Sequence, residues 1–245
     1  NGVPMLYARS NDKGDAFEPQ RNVITSAFGL DGGGGIAADS AGTVYVVFHA
    51  DPAGATGKSE TDRRVFAAVS LDDGATFAPE RPVSDATLGA CGCCGLKALA
   101  GPQGHLGIAF RSASTLMDRN AVLLQSTDSG KTFSATPLQP WRIGACPMTT
   151  SSLYRTEDGL AVAWETRGNI FAAVVPWAGG ATPSPMSPAD AQTKRKYPAV
   201  AVNKDKQVLL AWTEGMAWSK GGSVHWQVFD PAGKRISGAS GEAEG

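Results

Sequence analysis

Ser70-Leu-Asp72-Asp-Gly74-Ala-Thr-Phe77 decides the fold, because the chain states it three times. Ser126-Thr-Asp128-Ser-Gly130-Lys-Thr-Phe133 repeats its Ser, Asp, Gly, Thr and Phe. Ser10-Asn-Asp12-Lys-Gly14-Asp-Ala-Phe17 repeats it with Ala16 in place of the threonine. Each copy follows an apolar or alternating run, MLYAR, RVFAAV or AVLLQ. Each also carries Asp and Gly where a tight hairpin needs a side-chain acceptor and a residue free to take positive φ.

A second phrase lies between the copies. Gly42-Thr-Val-Tyr-Val-Val-Phe-His49, Gly104-His-Leu-Gly-Ile-Ala-Phe-Arg111, Gly159-Leu-Ala-Val-Ala-Trp-Glu165 and Gln207-Val-Leu-Leu-Ala-Trp-Thr213 superimpose as turn, strand, aromatic and polar end. A short apolar strand precedes each of these turns. The order is therefore strand, turn, strand, longer loop, strand, hairpin, strand, and the cycle restarts. Asn169–Val175 and Ser223–Phe229 serve as third strands whose hairpins have lost the Ser-x-Asp-x-Gly pattern.

Four-stranded units in series predict an all-β chain folded as a β-propeller of antiparallel blades. A β-sandwich also uses many short strands but has no reason to repeat one four-part phrase. About five blades are visible in a single domain over 1–245: a partial blade at 1–28, then 35–88, 96–143, 150–187 and 197–240. The chain enters at a third strand, so the expectation is a piece of a five- or six-bladed protein, or a ring closed in another way.

Composition narrows function by exclusion. With 22 Lys+Arg against 23 Asp+Glu the net charge is −1, so no basic field is available to hold nucleic acid. Lys194-Arg195-Lys196 reads as a solvated loop. No apolar run reaches the length of a membrane span. The opening NGVPMLYARS lacks a charged region followed by an apolar one, so a leader, if made, is expected to be gone already. The six tryptophans read as blade packing, with one or two at the mouth able to stack a sugar.

The three Ser-x-Asp-x-Gly segments resemble the Asp boxes of the sialidase-like propellers, and the likeness covers nearly the whole chain. What the resemblance implies is a structural role: Asp12, Asp72 and Asp128 form turns on the face opposite the active site. Sialidase chemistry would further require three arginines for the substrate carboxylate, a Tyr–Glu nucleophile pair and an acidic Asp. Arginine suits the first task because its planar fork binds a carboxylate through two hydrogen bonds. The candidates are Arg63, Arg111 and Arg119 for the cluster, and Tyr197 with Glu165 or Glu214 for the pair. Only Asp62 and Asp118, both in loops, stand near the mouth as acids. The family's catalytic residues do not carry across one by one.

Blade alignment puts His49, Arg111, Glu165 and Thr213–Glu214 at equivalent strand ends, where they are expected to ring the channel mouth. The cysteines belong to the same face. Leu88-Gly-Ala-Cys91 and Ile143-Gly-Ala-Cys146 align as the same connection in adjacent blades, and Cys93 and Cys94 follow Cys91 in one loop. Two chemistries lead, with a catalytic thiol third because no nearby His–Asp pair is legible. One is disulfide bonding, with Cys91 or Cys93 bridged to Cys146, as expected of an exported, periplasmic or extracellular protein. The other is a soft-metal site built from Cys91, Cys93, Cys94 and Cys146 with Met148 and His49, suiting copper(I) first and zinc second. The expected function is an exported binding propeller whose mouth takes a small molecule, a glycan or a metal. An exo-sialidase-like glycosidase is the alternative, and a scaffolding propeller with a protein partner the third.

Overall fold

The computed structural model describes residues 3–55, 59–180, 184–189, 194–217 and 219–244. Trp218, read as blade packing, lies outside them. Among the described residues seventeen strands form antiparallel sheets, with one short 3-10 turn at Pro102–Gly104. The fold is the all-β propeller that the repeated phrase predicts.

A two-stranded sheet pairs β1 (Leu6–Tyr7) with β2 (Arg21–Asn22). A second sheet runs in chain order through β3 (Gly34–Ala38), β4 (Val44–Ala50), β5 (Arg64–Ser70) and β6 (Arg81–Pro82). A third holds β7 (Lys97–Ala100), β8 (Leu106–Arg111), β9 (Ala121–Ser126) and β10 (Ser134–Gln139). A fourth has β11 (Ser151–Arg155), β12 (Gly159–Thr166) and β13 (Asn169–Pro176), with Met186 bridged to Ala172 where a fourth strand would lie. The last sheet comprises β14 (Arg195–Val202), β15 (Val208–Glu214), β16 (Ser223–Phe229) and β17 (Arg235–Glu244).

Strand periodicity explains how the sheets stack. Val44, Val46 and Phe48 on β4 pack toward the first sheet, while Tyr45 and Val47 pack toward the third. On β8, Leu106, Ile108 and Phe110 face back and Ala109 faces forward. On β12, Leu160, Val162 and Trp164 face back and Ala161 and Ala163 forward. β4, β8 and β12 are apolar on both sides because a sheet covers each side, which is why these runs show no polar alternation, whereas β15 at the end of the series buries Val208, Leu210 and Trp212 and leaves Leu209 40% exposed. Gly107 is required within β8: a Cβ there would run into Leu160 of the next sheet.

The two complete boxes close their hairpins identically. The Asp72 carboxylate accepts from the Thr76 amide (2.8 Å), the Thr76 hydroxyl (2.6 Å) and the Ser70 hydroxyl (2.7 Å). Asp128 does the same with Thr132 and Ser126 at 2.9, 2.6 and 2.7 Å. These donors hold Asp72 down to about 2, against the small opposing effect of burial, so both groups are anions engaged by their own turn. The first copy differs. There Asn11 Nδ2 donates to Asp15 at 2.7 Å, and Ser10 and Phe17 form an isolated bridge.

Candidate functional site

Strand parity aims the polar strand ends. His49 shares a face of β4 with Tyr45 and Val47, Arg111 a face of β8 with Ala109, and Glu165 a face of β12 with Ala163. Each therefore points toward the following sheet. The expected ring does not open to solvent: His49 is 0%, Arg111 3% and Glu165 2% exposed. Thr213 and Glu214, on the last sheet, are half-buried.

The cysteines lie in two loops, β6 to β7 and β10 to β11. Backbone hydrogen bonds fix both ends of the first. The Cys91 amide donates to Arg111 O (2.9 Å) and the Gly95 amide to Thr149 O (2.8 Å). The loop thus spans from the third sheet to the connection entering the fourth. Gly92 sits where a Cβ would crowd the ends of the Arg63 and Asp31 side chains, so a larger residue between Cys91 and Cys93 would displace that ion pair.

Four sulfurs gather there within 4.8 Å of one another. Cys93 and Cys146 form a disulfide with Cα atoms 6.6 Å apart, linking equivalent connections of adjacent sheets. Both are exposed, whereas Cys91 and Cys94 are free thiols, 0% and 1% exposed, with sulfurs 2.8 Å apart. Cys91 Sγ also lies 3.5 Å from Cys93 Sγ. Of the two bridges open to the sequence, the one to Cys93 forms, because Cys91 is turned inward by its bond to Arg111.

The two buried sulfurs are pushed in opposite directions. Cys94 is favoured as thiolate by the Cys91 thiol, then by the Thr149 amide and hydroxyl and by Arg111, against the cost of burial. The same hydrogen bond and burial push Cys91 up. Arg111 lies beside them with Nε donating to Thr149 Oγ1 (2.7 Å) and its other nitrogens to the carbonyls of Arg119 and Glu165. Its guanidinium stacks 5.1 Å from the Trp141 ring centroid.

The remaining candidates are otherwise engaged. Arg63 pairs with Asp31 at 3.1 Å and with Glu60 at 3.8 Å. Arg119 pairs with the same Glu60 and donates to the carbonyls of Thr115 (3.0 Å) and Asp118 (2.9 Å). The Gly92 amide donates to Glu60 as well, at 3.2 Å. Glu60 therefore ties two arginines to the cysteine loop, a role that sequence reading missed. Its spacing of three residues before Arg63 was the available hint. Glu165 binds Lys196 at 3.1 Å, and burial raises it despite that cation. Glu214 binds Arg195 at 2.7 Å and Trp212 Nε1 at 2.8 Å.

Tyr197 is 52% exposed at a bulge in β14 with φ of 54°, and its hydroxyl makes no bond to either glutamate. Met148 is 62% exposed. His49 is not among the groups that meet at the sulfurs; it lies buried beside Arg63 and Asp31. Burial first, then Arg63, lowers its pKa to about 4, and neither ring nitrogen has a partner. A separate cleft of about 620 Å³ opens on the opposite face, lined by the turns around Asp158, Lys204 and Pro231.

No protein-family model matches this sequence, and no curated protein does. Solved structures are similar in fold. The intramolecular trans-sialidase from Ruminococcus gnavus superposes with a TM-score of 0.61 at 10% identity, over 99% of this chain and 77% of that one. The leech intramolecular trans-sialidase gives 0.60 at 10% identity, over 99% and 56%. NanB sialidase from Streptococcus pneumoniae gives 0.51 at 14% identity, over 87% and 33%. The chain spans between a third and about three quarters of the length of these relatives, and what it shares with them is the propeller. Among the described residues no helix is long and apolar enough to cross a membrane.

Proposed function

We propose that this chain is an exported binding propeller that holds a soft metal ion in its cysteine cluster, copper(I) first and zinc second. One observation carries the reading: two buried thiols face each other at 2.8 Å inside a group of four sulfurs spanning 4.8 Å. Thiolates are soft ligands, and copper(I) is satisfied by as few as two of them. Cys91 and Cys94 supply those two in a pocket closed to water, with Arg111 offsetting their charge. Cys93–Cys146 staples the adjacent sheets, and a disulfide of this kind belongs to an oxidising compartment. Met148 and His49 are left out of the ligand set, the first for its exposure and the second for its separate place beside Arg63.

Elemental analysis of the chain purified without chelator or reductant tests the proposal, together with copper(I) titration against a chromophoric chelator. About one copper(I) per chain is expected, lost in Cys91→Ala and in Cys94→Ala. Two titratable thiols with no copper uptake defeats the reading.

The second reading is a glycosidase acting on an anionic sugar. The nearness of Arg63 and Arg119 to one carboxylate, with Arg111 beside them, favours it. Against it, Glu60 and backbone carbonyls already occupy these guanidinium groups, and neither Tyr197–Glu165 nor Tyr197–Glu214 pairs. It predicts turnover of a fluorogenic sialoside that disappears in Arg111→Ala.

A further inference from the structure

The sulfurs divide by accessibility. The bonded pair, Cys93 and Cys146, is at the surface, and the free pair, Cys91 and Cys94, is sealed beneath it. A reductant therefore meets the disulfide first. When that bond opens, the two new thiols are already within 4.8 Å of the buried pair. Nothing large has to move, because the loop ends are hydrogen-bonded to Arg111 and Thr149 and the sheets on either side are joined by their own apolar clusters.

We infer that the Cys93–Cys146 disulfide is a redox gate that sets the coordination number of the cluster, and with it the metal the cluster takes. This rests on the soft-metal reading and adds its regulation. Closed, the gate leaves two thiolates, enough for copper(I) and two short of what a structural zinc site uses. Open, it offers four. A tetrahedral zinc ion with bonds of about 2.3 Å needs its sulfurs about 3.8 Å apart, inside the span observed. The chemistry balances with a dithiol as reductant. The dithiol gives two electrons and becomes a disulfide, while the S–S bond of Cys93–Cys146 breaks and each sulfur takes a proton. Zinc then displaces protons from the thiols it binds.

The test uses the full chain in two states. One is as purified; the other is reduced with dithiothreitol and freed of it under argon. Thiol titration in denaturant is expected to find two and then four thiols. Zinc is titrated against a chromophoric chelator, with cobalt(II) as a spectroscopic probe of tetrahedral thiolate. The reduced chain is expected to take one zinc with affinity raised by more than the roughly 100-fold that even an outer-shell partner can contribute. Cys146→Ser, which cannot close the gate, is expected to bind zinc at intermediate strength whether or not reductant is present. Equal zinc affinity in both wild-type states, or no uptake by a chain with four titratable thiols, overturns the gate. The copper arm separates the two ideas. Copper(I) bound by the oxidised chain, with zinc indifferent to reduction, defeats the gate alone, and neither metal in either state defeats both.

Discussion

At the scale of single residues, two buried ionisable groups give the protein separate acid sensitivities. His49 is neutral in the fold, its pKa lowered to about 4 by burial and Arg63. The unfolded chain takes the proton at the ordinary value near 6.5, so stability present above pH 6.5 is lost as pH falls toward 4. Glu80 acts lower down. Burial alone would raise it, but its carboxylate accepts from the amides of Thr25, Ser26 and Ala27, each at 2.7 Å, and from the Thr25 hydroxyl at 2.6 Å. Together these pull it to about 2. Its contribution is complete above pH 4.5 and disappears as pH falls through 2, about 2 kcal/mol after allowing for solvent screening. Urea midpoints against pH separate the two groups. His49→Leu is expected to flatten the profile between pH 6.5 and 4 and, because it removes two unpaired buried nitrogens, to cost less than about 1 kcal/mol at pH 7. Glu80→Gln is expected to flatten only the region below pH 4.5. A wild-type profile flat from pH 7 to 4 contradicts the His49 account.

At the scale of elements, a latch between sheets explains a pattern that the repeat alone did not reveal. Arg21 on β2 donates to Gly74 O in the next sheet's box, and Arg81 on β6 donates to Gly130 O and, at 2.9 Å, to Lys131 O. Each arginine stands four residues after its own box phenylalanine, Phe17 or Phe77. The equivalent place after Phe133 is Pro137, and the sheet that follows, β11–β13, has no box to receive a cation. The arginine is present where a box follows and absent where none does. Arg81→Ala should therefore destabilise by about 1 kcal/mol. Arg142→Ala, which loses an exposed 3.8 Å pair with Asp118, should change little. Equal effects would remove the latch. The hairpins and second strands were legible because they depend on local chemistry: turn residues, apolar runs and the repeat itself. Glu60 and Asp31 were not, since their roles come from residues that meet only after blades stack. The cysteine pairing was half legible. Alignment brought Cys91 and Cys146 together, but the inward turn of Cys91 depends on a hydrogen bond to the end of β8.

At the scale of the molecule, the sheets behave as a one-dimensional array. Four apolar clusters join five sheets in chain order, and each cluster draws on two neighbours. Stability in such an array is the sum of local terms and interfaces, so a cross-link should act where it is placed. Cys93 and Cys146 are separated by 53 residues, and the segment between them contains all of β7, β8, β9 and β10. The disulfide therefore closes one entire blade at its two ends. Restricting that loop in the unfolded chain is worth about 4 kcal/mol. Hydrogen exchange measured strand by strand can locate the effect. On reduction, protection is expected to fall most in β7–β10, less in the flanking sheets, and least in β14–β17, two interfaces away. Cys146→Ser should reproduce the reduced pattern and no longer respond to reductant. A loss of protection spread evenly from β3 to β17 would mean that the sheets unfold as one unit, and the nearest-neighbour account would fail.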